Sequence, residues 1–98
     1  MLARVVTWEG GDADAIRANA EEIASRTGTG PPEGVPSVGF TFLVDPEGGR
    51  VVAIGLFETE EDLHAGDAVL NAMSPPNEGM GQRSPVGVYE VAVDVRLT

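Results

Sequence analysis

Residues 2–8 alternate, with Leu2, Arg4, Val6 and Trp8 on one side and Ala3, Val5 and Thr7 on the other, which predicts a strand. Gly10-Gly11 ends it, and Asp12 stands where a carboxylate caps a helix. The predicted helix carries Ile16, Ala20, Ile23 and Ala24 as its apolar stripe, pairs Arg17 with Glu21 and Glu22 with Arg26 on its wet side, and ends near Thr27-Gly28. Residues 28–36 mix glycines and prolines and read as a loop, because proline lacks a donor and glycine is costly to order. Apolar runs at 38–44 and 50–57 flank Asp45-Pro46-Glu47-Gly48-Gly49, a hairpin turn. Thr59 caps a second predicted helix over 60–73, with Glu60, Glu61 and Asp62 in its first turn and Leu63, Gly66, Leu70 and Met73 at helical spacing. A long irregular loop at 74–85 leads to a last strand at 86–97. That strand carries Tyr89, Val91, Val93 and Val95 on one face and Val88, Glu90, Ala92, Asp94 and Arg96 on the other.

The order strand, helix, strand, strand, helix, strand predicts an α+β fold of the ferredoxin-like βαββαβ kind, a four-stranded antiparallel sheet with both helices on one side. Residues 1–98 form one domain, long enough for a two-layer core and too short for a second. Both faces of the strands are largely apolar, whereas an open antiparallel sheet shows water a polar face. A second copy of the chain is the simplest cover, and a homodimer built that way encloses room for a small molecule. Arginine is disfavoured beneath a helix, so the Arg4 face is assigned to the open side of the sheet, and small Ala3 and Val5, with Tyr89, to the helix side.

Charge and missing residue types narrow the chemistry. Sixteen acidic against six basic residues give a net charge of -10, which repels phosphate backbones and anionic headgroups, so neither nucleic acid nor membrane is expected as a partner. No apolar run approaches the ~20 residues that cross a bilayer, and residues 1–8 lack the pattern of a signal peptide; a cytoplasmic location is the expectation. All six basic residues are arginine, which removes lysine Schiff bases and Walker-type phosphate loops. Without cysteine and with His64 as the lone histidine, thiol catalysis, iron-sulfur clusters and structural zinc have no ligand set, and no metal site is predicted. None of Ser25, Ser37, Ser74 or Ser84 sits in a Gly-x-Ser-x-Gly elbow.

The run from Phe42 through Asp45-Pro46-Glu47-Gly48-Gly49 to Arg50, then Ala53-Ile54-Gly55-Leu56-Phe57-Glu58-Thr59-Glu60-Glu61-Asp62-Leu63, and finally Val88-Tyr89-Glu90-Val91-Ala92, resembles the dimeric α+β barrel superfamily. That superfamily includes the antibiotic-biosynthesis-monooxygenase-like proteins. The resemblance spans nearly the whole chain through its element order and implies sheet-against-sheet dimerisation more strongly than it implies chemistry. Members range from cofactor-free oxygenases to haem-degrading enzymes and proteins with no known activity, and fold alone does not choose among them.

Three groups of residues are candidates for function. Gly39-Phe40-Thr41-Phe42 mimics the aromatic stretch of an RNA-binding sheet, but it lies on the second strand and no basic residue precedes it; Phe40 and Phe42 are read as interface or pocket aromatics on the open face. His64 shares a helix side with Glu60, Asp67 and Asn71, where charge-rich faces are usually just solvated. Its functional alternative is acid-base work at a cavity edge, or haem ligation, since haem-degrading relatives implied by the resemblance carry a ligating histidine on this part of the fold. Arg4, Trp8, Glu90, Asp94 and Arg96 meet on the first and last strands. They form either a structural ion pair beside Trp8, or a pocket in which Arg4 anchors an anion, Glu90 is a general base raised in pKa by burial, and Trp8 with Phe40 makes a slot for a flat substrate. Two functional expectations follow: a cofactor-independent monooxygenase-like enzyme on an aromatic or polyketide-like compound, or a non-catalytic dimeric binding or accessory module. No cofactor is expected in either; a haem protein is the third alternative.

Overall fold

The structure, a computed structural model, describes residues 1–27, 34–72 and 79–95. Strand β1 (Leu2–Glu9) leads to helix α1 (Ala13–Thr27), the hairpin β2 (Gly39–Asp45) and β3 (Arg50–Phe57) follows, and helix α2 (Glu60–Asn71) precedes two short strands, β4 (Gln82–Arg83) and β5 (Gly87–Glu90). The antiparallel sheet runs β2-β3-β1-β4, with β5 also on β1, so the fold is ferredoxin-like α+β, with its final strand position shared by two pieces. The break falls at Ser84, whose hydroxyl accepts from Thr7 N–H at 3.0 Å while its own N–H donates to Thr7 C=O at 2.8 Å. Predicted positions 96 and 97 of the last strand, like Met73 of the second helix, lie outside the described residues.

Local signals explain the element boundaries. Asp12 accepts from Ala15 N–H at 3.1 Å, and Thr59 Oγ1 accepts from Asp62 N–H at 3.1 Å; each cap satisfies a donor that the first helical turn leaves open. In the hairpin turn Asp45 accepts from Gly48 N–H at 3.1 Å and binds Arg50 at 2.7 Å. Gly49 takes φ +68°, with its missing Cβ position 2.8 Å from Gly11 C=O, so a side chain there is excluded by both backbone and neighbour.

Pairing register assigns the faces, because directly paired residues point the same way. Leu2 pairs with Phe57, Arg4 with Gly55 and Val88, and Trp8 with Val51 and Arg83; on the hairpin Gly55 meets Phe40 and Ala53 meets Phe42. Two core clusters lie on this face: Ile16, Val51 and Met80 beneath α1 with Trp8 and Phe42 against them, and Val35, Phe57 and Leu63 beneath α2 with Leu2, Val69 and Leu70. The face carrying Leu2, Arg4, Val6 and Trp8 is therefore the helix face, the reverse of the sequence-based expectation. Leu2, Val6 and Trp8 are the bulky apolar residues of β1, and burying them outweighs lodging one arginine there. Phe40 and Phe42 move with them to the helix side. Tyr89, paired with Ala3, lies on the open face rather than in the core, its ring folded towards Gly87.

The open face presents Val5, Thr7, Val52, Ile54 and Leu56, all half-buried, beside exposed Leu43 and Tyr89. The 74–85 segment also differs from expectation. Met80, inside the expected irregular loop, is buried against Ile16 and Val51, and the Gln82-Arg83 pair forms a strand on β1. Among the described residues no helix is long and apolar enough to cross a membrane.

Candidate functional site

A cleft of about 330 Å³ opens between the C-terminal half of α1 and the helix face of β2, lined by Ala20, Ile23, Ala24, Phe40 and Phe42. Its origin is local. Alternation on β2 puts Phe40 and Phe42 side by side with ring centroids 6.2 Å apart and planes 23° from parallel. Gly55 and Ala53, their partners on β3, offer no bulk to fill the space beside them. Ala20 and Ala24, one helical turn apart, leave the roof equally thin. The result is an open slot with aromatic walls and no titratable side chain among the described lining residues. The stripe Ala20, Ile23 and Ala24 was legible as a helix face; that its small members would leave space against aromatics depended on Phe40 and Phe42 facing it.

Arg4 anchors a second constellation. Its Nε donates to Asp67 Oδ1 at 2.6 Å and its Nη2 to Asn71 Oδ1 at 3.0 Å; Asn71 Nδ2 donates to Asp67 Oδ2 at 3.0 Å, and Arg83 Nη2 donates to the same Asn71 oxygen at 2.6 Å. The Arg4 side chain is 8% exposed and that of Asp67 30%. Two guanidinium groups thus meet at the last turn of α2, which has no basic residue of its own and whose carbonyls favour positive charge. The network ties β1, α2 and β4 together. Its partners differ from those expected: Arg4 pairs with Asp67 on the helix, and neither Glu90 nor Asp94 takes part in that ion pair. Asp67 and Asn71 stand at i,i+4, a spacing that signalled a shared helix side; what they would bind depended on which face of β1 met α2.

The remaining candidates are dispersed. Trp8 packs into the α1 core cluster and is unavailable as a slot for a substrate on the open face. Glu90, opposite Leu2 on the helix side, is exposed rather than buried. Asp94 is exposed in the segment after β5, and Arg96 lies outside the described residues. His64 has a side chain 70% exposed, with Nε2 3.4 Å from Glu60 Oε1; it stands on α2, whereas the aromatic cleft lies under α1. Among the described residues no three His, Asp or Glu side chains gather as a metal site. The described cleft therefore brings no axial ligand to a haem, and His64 does not line it.

These features define a ferredoxin-like α+β protein with an aromatic-walled cleft. No protein-family model matches the chain, and no curated protein does. Among solved structures it is similar to a variant of MhuD crystallised with two manganese protoporphyrin IX molecules per active site, over 98% of this chain and 99% of that one, with a TM-score of 0.64 and 20% sequence identity. At that identity the likeness is one of fold.

Proposed function

We propose that this chain is a homodimeric small-molecule-binding protein that takes a flat, predominantly apolar aromatic ligand between α1 and β2. The observation that carries the reading is the cleft itself: stacked Phe40 and Phe42 facing the small residues of α1, with no charged side chain among the described lining residues. The volume falls at the lower end of ligand pockets, roughly 300–1,000 Å³, which favours a small ligand. Dimerisation is supported by the apolar open face of the sheet, which nothing within the chain covers among the described residues.

The described lining residues include no acid, base or nucleophile, which favours a binding or accessory role over side-chain catalysis. The monooxygenase-like alternative requires a substrate whose own acidity supplies the reactive anion. A tetrapyrrole is the competing ligand, motivated by the porphyrin in the similarly folded structure.

One set of titrations separates these readings. Fluorescent polycyclic phenols, metal-free protoporphyrin IX and haem are titrated into the native chain, Phe40→Ala, Ala24→Leu and His64→Ala. Ala24→Leu fills the slot from an exposed helix position without disturbing the core. The proposal expects a loss of at least about tenfold in aromatic-ligand affinity, ~1.4 kcal/mol, in Phe40→Ala and Ala24→Leu, and none in His64→Ala. Haem binding with a Soret shift abolished by His64→Ala and untouched by Ala24→Leu would transfer the function to a haem site on α2.

A further inference from the structure

Carboxylates are plentiful in this chain, where sixteen acidic residues face six basic ones. Arg4, Arg17, Arg26 and Arg50 each hold one, namely Asp67, Asp14, Glu22 and Asp45. Arg83 is the exception among the described residues. Its Nη2 donates to the neutral Asn71 Oδ1 at 2.6 Å, the same oxygen that Arg4 Nη2 reaches at 3.0 Å. Two cations thus share one amide oxygen in a chain with a surplus of carboxylates, although their mutual repulsion opposes it.

The acceptors of this cluster are engaged, while donors remain. Asp67 accepts from Arg4 on Oδ1 and from Asn71 on Oδ2, and Asn71 Oδ1 accepts from both arginines. These bonds leave out Arg4 Nη1, and Nε and Nη1 of Arg83. No buried side-chain nitrogen or oxygen among the described residues lacks a hydrogen-bond partner, so Nη1 of the otherwise buried Arg4 reaches the surface. Arg83 is exposed beside it. Against two positive charges stand the one carboxylate of Asp67 and the C-terminal end of α2, worth about half a charge. The cluster is therefore a positive spot on a chain of net charge -10.

We propose that Arg4 and Arg83 form a binding site for a small oxyanion, a carboxylate or phosphate group that accepts from Arg4 Nη1 and from the guanidinium of Arg83. The site goes beyond the cleft reading and shares no residue with the cleft lining. Arg4 is already fixed by Asp67 and Asn71, so binding orders little that is not ordered beforehand. Forked guanidinium donors match the paired oxygens of a carboxylate or phosphate. The acidic remainder of the chain repels a polyanion such as nucleic acid, which selects for a small ligand.

Inorganic phosphate and benzoate are titrated separately into the native chain, Arg83→Gln and Asn71→Asp at constant ionic strength. The Nε–H resonances of Arg4 and, where present, Arg83 are followed by NMR. Both substitutions lie at exposed positions, and melting curves check that the variants fold. Asn71→Asp sets a second carboxylate against both arginines and so supplies from within the chain the charge that the anion brings. The expected result is a saturable shift of both native resonances, with affinity at least tenfold weaker in each variant. Saturation by one of the two anions alone supports the site and says which group it takes. Shifts that do not saturate with either anion, or an affinity unchanged in Arg83→Gln or in Asn71→Asp, overturn it.

Discussion

Taking one charge at a time from the Arg4–Asp67 pair should produce unequal losses. With its side chain 8% exposed, Arg4 depends on protein partners, whereas Asp67 at 30% already meets water. Asp67→Ala leaves a buried guanidinium whose remaining acceptor on α2 is Asn71 Oδ1 at 3.0 Å; stranding a buried charge costs about 3–5 kcal/mol, and the surviving bond puts the loss near the lower figure. Arg4→Met keeps most of the apolar stem volume and leaves a carboxylate still accepting from Asn71 Nδ2 at 3.0 Å, so its cost is about 1 kcal/mol. The double variant should fall close to Arg4→Met alone, which corresponds to a coupling of roughly 2–3 kcal/mol between the positions. At about 4–8 °C per kcal/mol for a domain of this size, Asp67→Ala should melt at least ~12 °C below the native chain and Arg4→Met only ~4–8 °C below it. Circular-dichroism melts at one fixed protein concentration measure this, the concentration held because association shifts apparent stability. The reasoning is refuted by Asp67→Ala melting at or above Arg4→Met, or by losses that simply add in the double variant.

At the hairpin, the hydrogen bond from Arg50, helped by Gly48 N–H, holds the Asp45 carboxyl below its ordinary value. A lowered folded pKa means stabilisation that is present above the unfolded value, about 3.9, and lost as pH falls through the folded one; carboxyl NMR should give a midpoint below that value, and Asp45→Asn should flatten the acid limb of a stability profile. Gly66→Ala gains about 1 kcal/mol of helix propensity but sets a Cβ 2.6 Å from the fully buried Phe57 ring, and overpacking of about 1–3 kcal/mol should win; a raised melting temperature would show that the ring can move. Gly49→Ala meets positive φ and the Gly11 carbonyl together and should cost about 2 kcal/mol or more by urea titration, where an unchanged midpoint would count against the turn geometry.

The first five elements were legible in order and extent because their signals are local, whereas the last strand, expected over 86–97, is Gln82–Arg83 and Gly87–Glu90, with 91–95 not strand. Asp12, Thr59, the 45–49 turn and the period-two runs each act within a few residues. Parity along the strands was legible too: Arg4, Trp8, Phe40, Phe42 and Glu90 were grouped on one face, and the register puts them on one face. Which side that face takes is a tertiary fact. Alternation labels two sets of side chains without saying which set meets the helices, and on β1 the arginine outweighed Leu2, Val6 and Trp8 in the sequence reading when burial weighs them the other way. Because β1 is central and paired with β3 and β5, one inversion carried Phe40 and Phe42 to the open face and Tyr89 to the core. Asp67 and Asn71 were seen only as companions of His64, since the buried arginine they serve is 63 and 67 residues away in sequence.

Placing the aromatics on the helix side changes how binding relates to assembly. A pocket between sheet and partner would make every ligand contact depend on the dimer. Instead, the cleft lies between α1 and the helix face of β2, across the sheet from the apolar open face that a second copy is proposed to cover. A strand packed on both faces opens less readily than one packed on a single face, so covering the open side of β2 stiffens the wall that the ligand stacks on. Linkage then requires reciprocity, with ligand tightening the dimer by the factor by which the dimer tightens ligand. Aromatic-ligand affinity should therefore rise with protein concentration through the monomer-dimer range. If the open face stays uncovered, the cleft is complete within one chain, and the same titration gives an affinity independent of concentration.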